Sequence, residues 1–200
     1  MTGPDVTAAV SGAPSPEAGD IQTRDGTAVQ LRPLRRDERE LVARFFAGLS
    51  AESRRRRFLQ PMPRLPEATL RRLVDVDGRR HVAMVATIDG DCAGIGRYVA
   101  LADQPGAAEV AVTVTDRYQG RGIGRLLVDA LRLAAVRAGL TALVYLVEPT
   151  NRPALGLLRS LGVELAFRDG LVQGRQQLPR QPMIDAERLG SGIVCVDRAS

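Results

Sequence analysis

The sequence predicts an α/β fold, a mixed, twisted sheet flanked by helices, and three observations carry that prediction. Val110 to Gly139 reads as strand, glycine loop and helix. Thr141 to Val147 (TALVYLV) follows as a nearly continuous apolar run, the pattern of a parallel strand buried on both faces. Strand, crossover helix and strand make a βαβ unit, which places ligands at the C-terminal ends of its strands. Asp89-Gly90-Asp91 joins two further β-rich runs with a strong hairpin signal, so antiparallel strands share the sheet.

Met1 to Arg24 is rich in Ala, Gly, Pro, Ser and Thr without apolar periodicity; it reads as a flexible leader with no assigned structure. Thr27 to Leu34 alternates, is bounded by Asp25-Gly26 and makes the first strand, ending at Pro33. Asp37 is placed to cap a helix with Leu41, Val42, Phe45, Phe46 and Leu49 on one face. Ser50 caps the next, which runs into Arg54 to Arg57. Consecutive arginines on a helix point around most of its circumference, which suits a solvated or ligand-edge helix better than a nucleic-acid groove. Beyond Pro61, Pro63 and Pro66, Glu67 to Val74 is a short helix with Leu70, Leu73 and Val74 inward.

The hairpin strands are His81 to Ile88 and Cys92 to Ala100, where Gly94 and Gly96 mark a weak strand or a close approach. A polar loop, Ala102 to Gly106, leads through Glu109 into Val110, Val112 and Val114, which alternate at the period of a strand. After the loop, Ile123, Leu127, Ala130, Leu131 and Ala134 recur at helical spacing until Gly139. Asn151 caps a helix with Leu155, Leu158 and Leu161, and Gly162 follows. Val163 to Phe167 and Leu171 to Leu178 flank Asp169-Gly170 as closing strands. One domain therefore spans Asp25 to Leu178, with residues 1–24 as leader and 179–200 as tail. Ile193 to Val196 is the one stretch of that tail with strand character.

The net charge of +5 comes entirely from arginine, because none of the 200 residues is lysine. An enzyme of this sequence that modified lysines could not modify its own side chains. A basic surface attracts an anionic cofactor, an acidic protein or nucleic acid, and charge alone does not choose. No apolar run has membrane-spanning length and no basic-then-apolar leader opens the chain, so a cytoplasmic location is expected. Cys92, Cys195 and His81 lie far apart and support neither a disulfide framework nor a metal site.

The chemistry concentrates at the glycine loop. Gly120, Gly122 and Gly124 fall within five residues at a helix start, where unpaired N–H groups and the positive end of the helix dipole suit a phosphate or pyrophosphate. Arg117, Arg121 and Arg125 add full charges there. The spacing Gln119-x-x-Gly122-x-Gly124 excludes a P-loop, which needs Gly-Lys-Ser/Thr, and a dinucleotide fingerprint, whose third glycine is replaced by Arg125. Just upstream, Glu109 is the only acid of an apolar strand. It is either a charge at the solvent-facing strand entry or a general base for an amine.

A strand, then Gln119-Gly120-Arg121-Gly122-Ile123-Gly124, then an amphipathic helix resembles the acyl-CoA-binding signature of the GNAT N-acetyltransferase superfamily. Phe46-Ala47-Gly48-Leu49-Ser50-Ala51-Glu52-Ser53 with Arg57-Phe58 resembles the N-terminal part of GNAT domains in bacterial protein-lysine acetyltransferases. The resemblance implies a single GNAT-type domain whose two central parallel strands splay, so that the pantetheine arm of acetyl-CoA bonds the backbone of Val112, Thr113 and Val114. It places the pyrophosphate on the loop from Gln119 through Gly120, Arg121, Gly122, Ile123 and Gly124 to Arg125. It also makes Glu109 the general base for direct attack by an amine, and Asn151, opening an Asn-x-x-Ala segment, a contact of the CoA arm.

Leu158 departs from the pattern, because many members of the family place there a tyrosine that protonates the leaving thiolate. Tyr118 and Tyr145 remain as candidates for that role. A thiol pKa of about 8.5 makes the thiolate a tolerable leaving group without one. The implied acceptor is a protein lysine. The alternatives are a small-molecule amine, or a catalytically inactive CoA-sensing or protein-binding module. Neither a membrane nor a nucleic-acid partner is expected.

Overall fold

The structure is a computed structural model that describes residues 19–23 and 25–179. Its strands are β1 (Gly19–Gln22), β2 (Ala28–Pro33), β3 (His81–Ile88), β4 (Asp91–Ala100), β5 (Ala107–Val114), β6 (Ala142–Val147), β7 (Glu164–Arg168) and β8 (Leu171–Gln177). Its helices are α1 (Arg39–Ala47), α2 (Ala51–Phe58), α3 (Glu67–Val74), α4 (Ile123–Arg137) and α5 (Arg152–Ser160). All eight strands form one sheet in the order β1-β2-β3-β4-β5-β6-β8-β7. Every pairing is antiparallel except β5 with β6, the two arms of the crossover through α4.

That parallel pair opens partway along. Its register runs from Ala107 opposite Ala142 to Val110 opposite Tyr145 and goes no further. Each strand keeps its outer neighbour beyond that point: β5 stays on β4 as far as Val114 opposite Gly94, and β6 stays on β8 as far as Val147 opposite Val172. The two central strands therefore splay at their C-terminal ends.

The core divides between the two faces of the sheet. Ile123, Leu127 and Leu131 of α4 and Leu155 and Leu158 of α5 join Val110, Leu143 and Tyr145 in one cluster, and Val42 of α1 and Val74 of α3 join Leu34, Ala83 and Val85 in the other. The glycines of β4 let α4 sit close. A Cβ at Gly94 would approach Leu127 to 3.0 Å, and one at Gly96 would approach Leu131 to 3.1 Å. Crowding of that kind costs about 1–3 kcal/mol in a packed core.

The structure departs from the sequence reading in two places. The segment expected to carry no structure contains β1, which pairs with β2 from Gly19 opposite Leu31 to Gln22 opposite Ala28. Its Ile21 packs against the larger core cluster, an apolar contact that a short segment without periodicity does not announce. The rest of the leader and residues 180–200, including Ile193 to Val196, lie outside the described residues. At the start of α1 the N-cap is Glu38, not Asp37. The Glu38 carboxylate accepts both Nη groups of Arg32, at 2.9 and 2.7 Å, and the Arg35 backbone N–H at 2.8 Å. A two-pronged arginine contact reached from β2 outweighs a local cap.

Candidate active site

The glycine loop and the splay form one channel. Gly120 and Gly122 adopt φ of +79° and +86°, conformations in which a side chain is strained. Gly122 is the N-cap of α4, whose first turn holds neither a side-chain cap nor an acidic residue. Among the described residues, the backbone N–H groups from Gly120 to Gly124 have no acceptor in the protein. Unpaired donors at a positive helix end fit an anion. The cavity in front of them, about 320 Å³, is lined by Val112, Thr113, Val114, Gln119, Gly120, Gly122, Ile123, Gly124, Arg125 and Asn151.

A second chamber of about 110 Å³ shares Arg57, Val112, Asn151 and Leu157 with the first and reaches Glu109, Tyr145 and Leu158. The channel thus runs from the α4 N-terminus along β5 to an exposed Glu109. Glu109 lies on the opposite face of β5 from Val110, directly across from Val99 of β4.

The three loop arginines separate. Arg125 lines the cavity and pairs with Asp129 at 3.5 Å. Arg117 turns to Asp91 at 2.8 Å. Arg121 is exposed, lies 5.7 Å from the centre of the Tyr118 ring, and does not line the cavity. Gln119 lines it but spends its amide inward, donating from Nε2 to the Val114 carbonyl at 3.1 Å and to Ser53 Oγ at 3.3 Å. Asn151 caps α5 through Oδ1, which accepts the Ala154 N–H at 3.3 Å, and it lines both chambers.

The hydroxyl candidates resolve in the same way. Tyr145 donates to Gln176 Oε1 at 3.1 Å, and burial pushes its phenol far above the ordinary value. Its hydroxyl is committed to the β6–β8 side and supplies no proton to the channel. Tyr118 lines the loop end, away from Glu109. Leu158 is 4 % exposed in the wall of the Glu109 chamber.

Sequence reasoning missed the brace between α2 and the loop. The Asp116 carboxylate accepts the Ser50 N–H at 3.0 Å, the Ser50 hydroxyl at 2.8 Å and the Ser53 hydroxyl at 2.9 Å. Burial raises the Asp116 carboxyl, and these three donors together outweigh it and hold the group below the usual carboxylate range. Ser50 Oγ in turn accepts the Ser53 N–H at 3.2 Å, the cap the sequence predicts. The only sequence signal for the brace was an acid just before the loop.

The arginine run spreads as expected. Arg54 donates to the Ala47 and Pro63 carbonyls, Arg55 pairs with Glu52 and with Glu148 at the end of β6, and Arg56 pairs with Glu52. Arg57 points into the channel. His81 is structural: its Nδ1 meets the Asp75 carbonyl at 2.8 Å, and burial, then Arg97, lower its pKa.

The acetyltransferase (GNAT) family model matches residues 44–163, from α1 through the loop and α5. The chain belongs to the GNAT acetyltransferase family. It is 36 % identical over 142 residues to an acetyltransferase of Pseudomonas aeruginosa, covering 69 % of this chain and 76 % of that one. It is 32 % identical to the acetyltransferase Pat of Mycolicibacterium smegmatis over 80 % of this chain but only 48 % of Pat, so it spans about half of that relative's length. The GNAT domain of S. lividans PAT superposes with a TM-score of 0.76 at 29 % identity, covering 80 % of this chain and 97 % of that domain. Membership in the GNAT family makes the chain an N-acetyltransferase. No helix among the described residues is long and apolar enough to cross a membrane, and no group of three or more potential metal-ligating side chains forms among them.

Proposed function

We propose that the protein transfers an acetyl group from acetyl-CoA to the side-chain amine of a protein lysine, with Glu109 as general base. The channel from the unpaired N–H groups of Gly120 to Gly124 through the splay to Glu109 carries this reading. The N–H groups and Arg125 suit the pyrophosphate. The edge of β5 beyond Val110, which has no strand beside it, suits the pantetheine arm through Val112, Thr113 and Val114. Asn151 suits a further contact along that arm.

When bound, acetyl-CoA supplies the thioester whose carbonyl carbon the amine attacks. Glu109 takes the proton that the ammonium must lose, directly or through one water, since a free amine pKa near 10 leaves little neutral amine at pH 7. Backbone N–H groups near Val114 polarise the carbonyl, and no protein hydroxyl beside Glu109 protonates the departing thiolate. The resemblance of Phe46 to Ser53 with Arg57-Phe58 to the N-terminal part of GNAT domains in bacterial protein-lysine acetyltransferases supports a protein acceptor.

The test is CoA release from acetyl-CoA with a panel of lysine peptides and small amines. Glu109→Gln is expected to lower kcat by roughly 10²–10⁴-fold while acetyl-CoA affinity stays near that of the wild type. Unimpaired turnover in that variant would remove Glu109 as base, and turnover confined to small amines would replace the protein acceptor. The absence of lysine from this chain means that any acetyl-lysine found by mass spectrometry belongs to the acceptor.

A further inference from the structure

Next to the channel, α2 and β4 each contribute one guanidinium with no carboxylate to hold. Arg54, Arg55 and Arg56 all find carbonyls or carboxylates. Among the described residues, Arg57 has one specific neighbour, the Phe58 ring at 4.8 Å. The side chain of Arg97, a residue opposite Ala111 in the sheet, makes no hydrogen bond or ion pair among them. Both arginines line a small apolar cavity of about 40 Å³ with Phe45, Phe46, Ala111 and Thr113. The Thr113 hydroxyl is sealed from solvent there without a hydrogen-bond partner.

The Thr113 hydroxyl is costly there, because a buried hydroxyl loses its water without replacement, and the two half-buried guanidinium groups lie on the wall of the same cavity. Burial, then Arg97, disfavours the charge on Arg57; burial also disfavours it on Arg97; and Glu109 favours it on both. The cavity shares Arg57 and Ala111 with the Glu109 chamber, and it has room for roughly three water-sized groups, the scale of a carboxylate.

We propose that the cavity between α2 and β4 is an acceptor subsite for a carboxylate, so that the favoured acceptor is an amine whose own chain carries a carboxylate close by. In a protein this is a lysine flanked by an acidic residue; in a small molecule it is the carboxylate of an amino acid. Two guanidinium forks offer planar paired donors that match a carboxylate, and Thr113 adds a hydroxyl. The proposal rests on the reading of Glu109 as the acceptor end of the channel.

The experiment uses the full chain saturated with acetyl-CoA and three acceptors: a peptide with glutamate on both sides of one lysine, the same peptide with glutamine in those places, and free lysine. Peptide binding is read by fluorescence anisotropy and turnover by CoA release. The acidic peptide is expected to bind and react about tenfold better than the neutral one, the worth of one charge-assisted hydrogen bond. Arg97→Gln and Arg57→Gln each bring that ratio near one, and Arg97→Lys, which keeps charge and loses the fork, leaves it in between. Free lysine exceeding both peptides would support the subsite and identify an amino acid as its source of carboxylate. Equal binding of the two peptides by the wild type, or an undiminished preference in both glutamine variants, would overturn the proposal. Preferential binding of the acidic peptide with no turnover of any amine would support the subsite and refute the catalytic reading instead.

Discussion

At the scale of single residues, the glycines of the loop do different work although they look alike in the sequence. Gly120 and Gly122 hold positive φ, whereas a Cβ at Gly124 would make ordinary contacts, 3.5 Å to Leu157 and 3.9 Å to Val114. Gly122→Ala meets no atom within 4 Å, so its cost is backbone strain alone, about 1–2 kcal/mol. It is expected to lower the unfolding free energy from denaturant titration by that amount and to raise the KM for acetyl-CoA, because the residue orients the unpaired N–H groups. Gly124→Ala should leave the unfolding free energy within about 0.5 kcal/mol of the wild type, and a loss as large as that of Gly122→Ala would refute this division. Glu109 and the loop were legible from residue type and spacing. The inward turn of the Gln119 amide and the outward turn of Arg121 were not, because rotamers are chosen by neighbours distant in the chain.

At the scale of elements, α2 is fastened to the loop through Ser50, Ser53 and Asp116, and to the end of β6 through Arg55 and Glu148 at 2.5 Å. The helix thus bridges both arms of the splay. Ser50→Ala removes the cap of α2 and one donor to Asp116 together, and about 1–2 kcal/mol of stability should go with them. A rise in the KM for acetyl-CoA should accompany the loss, because Asp116 directly precedes the loop. Titration calorimetry with CoA separates the two effects, and a stability loss with unchanged CoA affinity would show that the brace serves α2 alone. The strands and helices themselves were readable from periodicity, from Ser50 and Asn151 as caps, and from the Asp-Gly turns. The N-cap at Glu38 was missed because its partner, Arg32, comes from a different element.

At the scale of the whole molecule, hydrogen-bonded and partly buried ionisable groups set the response to pH. Arg32, first among its partners, holds the Glu38 carboxyl below its ordinary value of 4.5. The Asp77 carboxyl, raised by burial but accepting the N–H groups of His81, Arg79 and Arg80, lies below its ordinary 3.8, and Asp116 behaves likewise. A carboxyl lowered on folding adds stability that is complete above its unfolded value and disappears as pH falls through its folded value. His81, lowered from 6.5 by burial first, has the same sign: the fold favours the neutral ring, and stability falls as pH drops below 6.5. The melting temperature is therefore expected to decline in two stages, gently below about pH 6.5 and steeply below about pH 4.5. His81→Gln should remove the first stage and Asp116→Asn should soften the second. A melting temperature that rises on acidification through either window would contradict the assignment.

By itself the sequence determined the α/β class, the order of most elements, the glycine loop at the start of α4 and the family, because alternation, helical periodicity, caps and glycine spacing are local consequences of backbone geometry. Only the tertiary structure decided that β1 joins the sheet, that β5 and β6 part after Val110, and that Arg57 and Arg97 meet beside Glu109. No residue of β5 or β6 marks the point of parting, since both strands keep hydrogen-bonding to their outer neighbours beyond it. Arg57 and Arg97 lie 40 positions apart in the chain, and only the packing of α2 over β5, the strand beside β4, brings them to one cavity.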